Sequence, residues 1–161
     1  MVLAPPLISS EPPTAVAAVV PSPTASSGGR NAQAILLVVE RDPHVRELAQ
    51  YFLNEAGFDV HFSDDGLAAL ELARTLKPRI IVTEVIVPKL DGLALCRTIK
   101  SIDELRHTIV VVFSLLAVEQ RAREAGADAF VRKPLGADRL IETVRALLAR
   151  SAMPAPHGAA S

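Results

Sequence analysis

From residue 35 onward, short β-branched runs alternate with segments whose apolar residues recur at helical spacing, and this alternation restricts the possible folds more than any other feature of the chain. Successive strand–helix units of this kind build a parallel sheet covered by helices on both faces. ILLVV, residues 35–39, reads as the first strand. Asp42 then supplies a helix cap and Pro43 a first helical position. Val45, Leu48, Ala49, Phe52, Leu53 and Ala56 follow as an inward stripe until Gly57 ends the helix. FDVHF, residues 58–62, alternates as a second strand. The helix after it turns Ala69, Leu70, Ala73 and Leu76 inward and stops at Pro78.

RIIVTEV, residues 79–85, contains the continuous apolar stretch of a central strand buried on both faces, and it closes on the carboxylate of Glu84. After PKLDG comes a helix with Leu95, Cys96 and Ile99 on one face, then a fourth strand, TIVVVF, at 108–113. A short helix through residue 125 precedes a fifth strand, DAFVR, at 128–132. The last helix sets Ala137, Leu140, Ile141, Val144, Leu147 and Leu148 along one stripe. The expected fold is α/β: a doubly wound, five-stranded parallel sheet of order 2-1-3-4-5.

Composition bounds the rest. Residues 1–33 are rich in Pro, Ala and Ser without either periodicity and read as a disordered leader; 34–150 is the expected domain, and 151–161 a disordered tail. Only eleven residues follow position 150, so a stand-alone module is expected. A net charge of -1 and a pI near 6.4 provide no global field for nucleic acid or anionic lipid. No apolar run reaches the roughly 20 residues of a membrane span. TAVAAVV, residues 14–20, lacks a preceding basic residue and is flanked by prolines, which argues against export. The single cysteine, Cys96, cannot form an internal disulfide and sits among apolar residues, consistent with a reducing, cytoplasmic compartment.

In doubly wound sheets, functional groups gather beyond the carboxyl ends of the strands where strand order reverses. Those ends carry Glu40, Arg41 and Asp42 after the first strand, Glu84 at the third, Ser114 after the fourth and Lys133 after the fifth. All six are expected to converge on one cleft. No Gly-rich phosphate loop follows the first strand, and His44, His61, His107 and His157 lack metal-pair spacing.

Four segments in order, ILLVVERDPHVREL, PRIIVTEVIVPKLDG, TIVVVFS and AGADAFVRKPL, resemble the receiver domain of bacterial two-component response regulators. The resemblance spans about 34–150 and implies a flavodoxin-like fold. In the family, a histidine kinase donates a phosphoryl group to an aspartate at the end of the third strand. A Mg²⁺ ion assists, held by that aspartate and by an acidic pair after the first strand. A Ser or Thr and a Lys contact the phosphoryl oxygens. Position by position, the resemblance assigns those last roles to Ser114 and Lys133 and makes Phe130 the aromatic switch residue. The helix before the fifth strand, that strand and the last helix then form the surface that engages protein partners, leaving self-association open.

Two positions depart from the family pattern. The phospho-acceptor position holds Glu84, and the acidic pair reads Glu40–Arg41. A guanidinium removes an oxygen ligand and repels the ion, so Mg²⁺ binding is expected to be lost and no cofactor or metal is assigned. Asp42 is committed to the helix cap. Glu84 is one methylene longer than the aspartate, and a misplacement of about 1 Å can cost on the order of a hundredfold in rate. The expectation is an atypical, phosphorylation-independent receiver that acts as a protein-interaction module without enzymatic activity and without direct nucleic-acid or membrane contact. The longer Glu84 side chain is expected to extend toward Lys133 and Ser114, and Arg41 to pair with Glu84 or Glu40 in the metal's place, locking the domain near one signalling state. A working phospho-acceptor is the alternative. A small-ligand sensor is a third reading, and an incidental ion pair worth about 0–1 kcal/mol is the plainest one. Between Ser114 and Gly126 the chain is shorter than the family usually allows, so a short or displaced fourth helix is expected. Arg139, Arg145 and Arg150 on the last helix favour either an acidic partner or simply solvent.

Overall fold

The computed structural model describes residues 33–133 and 137–152. Ten elements alternate without exception: β1 (Ile35–Val39), α1 (Pro43–Glu55), β2 (Asp59–Ser63), α2 (Gly66–Leu76), β3 (Ile80–Thr83), α3 (Gly92–Ser101), β4 (Ile109–Ser114), α4 (Glu119–Glu124), β5 (Ala129–Arg132) and α5 (Ala137–Ala152). All strand pairs are parallel and the order is β2-β1-β3-β4-β5, as the alternation predicts.

Because successive side chains on a strand point to opposite faces, the apolar runs divide into two cores. Leu37, Val39, Ile81, Val110 and Val112 pack under α2, α3 and α4 with Ala69, Leu95, Cys96 and Ile99. Leu36, Val38, Ile80, Val82, Val111 and Val131 pack under α1 and α5 with Leu53, Leu140 and Val144. Burying both faces explains why β1, β3 and β4 carry continuous rather than alternating apolar sequence.

Several boundaries differ from the expectation, each for a local reason. β3 leaves the ladder after Thr83 rather than running to 85, because Glu84 Oε1 accepts from the amides of Val85 (2.6 Å) and Ile86 (3.4 Å) and turns the chain out of the sheet. β5 begins at Ala129, since the Asp128 carboxylate is taken by Val110 N and by Lys100 Nζ, both at 2.8 Å. β4 extends to Ser114, whose carbonyl accepts from Lys133 N (2.9 Å). α5 continues through Ser151 and Ala152, so the tail does not start at 151; Ser151 Oγ donates to Leu148 O and accepts from Arg79 Nη2. The leader and the remaining tail lie outside the described residues. On α1 only Leu53 of the expected stripe is fully buried. Leu48 is 60% exposed and lies with Phe52 along a groove between α1 and α5, because the stripe is wider than the face the sheet covers. α4 has six residues and no side-chain cap, the short helix expected.

The loop after β3 is fixed by two close approaches. A Cβ on Gly92 would lie 2.1 Å from the Glu84 carbonyl oxygen, and one on Gly66 would lie 1.8 Å from that of Leu90. Only glycine lets the first turns of α3 and α2 close against this loop. Asp65 caps α2 through Ala68 N and binds Lys89 Nζ at 2.9 Å, and these bonds hold its carboxyl below the ordinary range. Lys89 itself has a left-handed φ of 68°.

Gly92→Ala should therefore cost about 1–3 kcal/mol or more in urea unfolding, because backbone rather than a flexible side chain blocks the methyl. The Cys96 thiol donates to Ala125 O, and burial pushes it up to about 11 from 9.0, against the pull of Lys100. A thiol-specific disulfide reagent at about pH 8 should leave the folded domain unmodified and react only on unfolding. Deprotonation favours the unfolded chain, so this residue's contribution to stability is present below pH 9.0 and is lost toward pH 11.

Candidate functional site

The carboxyl ends of β1, β3, β4 and β5 bring four side chains together. Glu40, directly after β1, is 4% exposed; its amide donates to Ser63 O of β2, which holds the chain in sheet direction for one residue beyond the strand. Glu84, directly after β3, donates its amide to Val39 O in the same way. Ser114 ends β4 and is fully buried. Lys133 follows β5, and its side chain is 11% exposed.

The Lys133 ammonium bridges the two carboxylates. Nζ donates to Glu84 Oε2 at 2.9 Å and to Glu40 Oε2 in a closer contact, and it lies 5.0 Å from the centroid of the Phe113 ring. Ser114 Oγ donates to Glu84 Oε1 and accepts from Leu116 N at 3.2 Å. The remaining Glu40 oxygen, Oε1, accepts from Asp42 N at 3.0 Å. Every carboxylate oxygen in the cluster thus accepts from a donor of the protein itself. Among the described residues, no buried side-chain nitrogen or oxygen lacks a partner. Burial alone would lower the Lys133 pKa, but the hydrogen bonds it donates to Glu40 and Glu84 outweigh it and hold the ammonium above its ordinary 10.5.

Arg41 and Asp42 do not join this cluster, contrary to the expected convergence. The bond from Asp42 N to Glu40 folds the loop back, and the Asp42 carboxylate turns to cap α1 through His44 N (2.9 Å) and Val45 N (3.5 Å). Arg41, between them, is exposed and forms no hydrogen bond or ion pair among the described residues. The pairing of Arg41 with Glu84 or Glu40 is therefore corrected: Lys133 takes the central position. The reach of Glu84 to Lys133 and Ser114 is as expected, whereas the Lys133–Glu40 bond was missed because Arg41 adjoins Glu40 and Lys133 lies 93 positions away. The available signal was the cap, since a residue wedged before Asp42–Pro43 has its direction set by the helix start. Phe130, on β5, is half-buried against the core under α2–α4.

The model of the response regulator receiver domain matches residues 36–145. The chain belongs to the response regulator receiver family. It is 31% identical over 116 residues to the polar-differentiation response regulator DivK of Brucella anthropi, covering 70% of this chain and 94% of that protein. It is 34% identical over 117 residues to the response regulator MprA of a Mycobacterium species, covering 72% of this chain but 51% of MprA, so this receiver spans about half of that relative. Among solved structures, the signal receiver domain of a signal transduction histidine kinase from Syntrophus aciditrophicus superposes with a TM-score of 0.70 at 29% identity, covering 80% of this chain and 99% of that one.

Lys133→Met would leave Glu40 and Glu84 buried without a counter-charge. The receiver should lose about 3–5 kcal/mol in urea unfolding near neutral pH. In the wild type, the raised lysine's contribution is fully present below pH 10.5 and disappears as pH rises through its folded value, so only the wild type should show this alkaline loss.

Proposed function

We propose that this receiver is a phosphorylation-independent interaction module whose Glu84 carboxylate occupies the place of the phosphoryl group, holding the domain close to its phosphorylated state. One observation carries the reading. The two residues that the family uses to contact phosphoryl oxygens, matched here by Ser114 and Lys133, each bind one oxygen of Glu84. The extra methylene of glutamate relative to aspartate supplies the reach. Arg41, turned outward, does not pull the carboxylate away.

The same contacts speak against a divalent ion. Mg²⁺ requires oxygen ligands in near-octahedral geometry at about 2.0–2.1 Å. Here the Glu40 and Glu84 oxygens that face each other share the Lys133 ammonium, Asp42 is turned to its cap and a guanidinium follows Glu40. The donor set does not fit the ion, and no group transfer is assigned to the domain. It acts by binding a protein. Among the described residues no helix is long and apolar enough to cross a membrane, and the lone thiol is buried and free. A cytoplasmic location is part of the same proposal, and the free thiol supports it.

Intact mass after incubation with acetyl phosphate and Mg²⁺ tests the reading directly. The wild type should stay unmodified, while Arg41→Asp/Glu84→Asp, which restores an oxygen ligand and shortens the acceptor, should gain one phosphoryl group. Modification of the wild type would overturn the reading and make the chain a working phospho-acceptor.

A further inference from the structure

Between α4 and α5, over β5, lies an open cleft of about 1350 Å³. Its apolar surface includes Leu115 and Phe130, and its polar surface is cationic: Arg123, Arg132 and Arg139 line it, with Glu119 as the one acid. Glu119 is already engaged, bound to Arg123 Nη2 at 2.6 Å one helical turn away. Lys133 also reaches the cleft but is held by Glu40 and Glu84. Arg132 and Arg139 are exposed and form no hydrogen bond or ion pair among the described residues. Asp138 adjoins Arg139, but consecutive helix residues do not face each other, and it does not line the cleft.

We infer that this cleft binds an acidic segment of a partner protein, its carboxylates reaching Arg132 and Arg139 and an apolar side chain seating on Leu115 and Phe130. The inference rests on the reading of the pocket given above and names the chemistry of its partner. Two uncompensated guanidiniums beside an apolar floor suit carboxylates, which they bind bidentately. Nucleic acid fits less well, because the chain carries a net charge of -1. Glu84 reaches this surface through one short path. It holds Ser114 Oγ, which accepts from Leu116 N and so fixes the start of the loop that presents Leu115 to the cleft. A domain with Glu84 in place keeps that wall formed.

The test uses the full chain and fluorescence anisotropy with three labelled peptides of equal length: alternating Glu–Leu, Ser–Leu and Lys–Leu. The Glu–Leu peptide should bind at least about tenfold more tightly than the other two and weaken as salt is raised. Arg132→Glu/Arg139→Glu should weaken it by about tenfold or more, whereas Arg74→Glu, exposed on α2, should stay within about twofold. The inference is overturned by equal binding of the Ser–Leu peptide, by undiminished affinity of the double variant, or by an equal loss in Arg74→Glu. It is also overturned if a random-sequence DNA duplex displaces the peptide from the same arginines. Glu84→Ala, checked for folding by circular dichroism, separates the two readings. A weaker peptide complex supports the link to the pocket. Undiminished affinity that still depends on Arg132 and Arg139 keeps the acidic-partner surface and removes the claim that Glu84 holds it.

Discussion

The ammonium of Lys133 between Glu40 and Glu84 organises the carboxyl edge of the sheet, because buried charges have to be paired and this one cation bonds both carboxylates. The cluster ties β1, β3 and β5 together at one end, and Ser114 adds β4 through Glu84. Ion pairs of this kind are weak evidence for added stability, since removing two charges from water costs several kcal/mol per ion. What they fix is geometry. Each donor and acceptor in the cluster has its partner, and the Glu84 carboxylate is directed at two residues rather than left to solvent.

The rest of the fold supplies the placement. Parallel strands in the order β2-β1-β3-β4-β5 put the ends of β1 and β3 side by side, with β4 and β5 following on the same edge. Two backbone bonds past the strands, Glu40 N to Ser63 O and Glu84 N to Val39 O, carry the carboxylates just beyond the ladder before the chain turns. The loop behind Glu84 is clamped by contacts that only Gly66 and Gly92 permit. Together these contacts set the Glu84 carboxylate beside Ser114 and Lys133.

Much of the fold was legible from pattern. All ten elements, the strand order and the carboxyl-edge location of the site follow from alternating apolar runs and the topology they allow. The boundary shifts came from side chains that compete with the ladder: Glu84 took two amides and ended β3, and Asp128 took the Val110 amide and delayed β5. The exposed Leu48 shows the converse limit. Helical spacing identifies an apolar stripe, but how much of it a sheet covers depends on where the neighbouring helix, α5, lies.

The sequence by itself determined the chemical inventory: glutamates directly after β1 and β3, an arginine beside the first of them, and a serine and a lysine at the ends of β4 and β5. It also determined that Asp42 caps α1, since capping is a local property of a few consecutive residues. Tertiary structure alone decided that Lys133, and not Arg41, meets Glu40 as well as Glu84. Arg41 is adjacent in sequence yet turned outward by the cap that follows it, while Lys133, 93 positions from Glu40, is delivered by β5 along the sheet edge. The physical reason is that a buried charge pairs with whatever the backbone carries to it in three dimensions, and in a parallel sheet that is set by strand order rather than by distance along the chain.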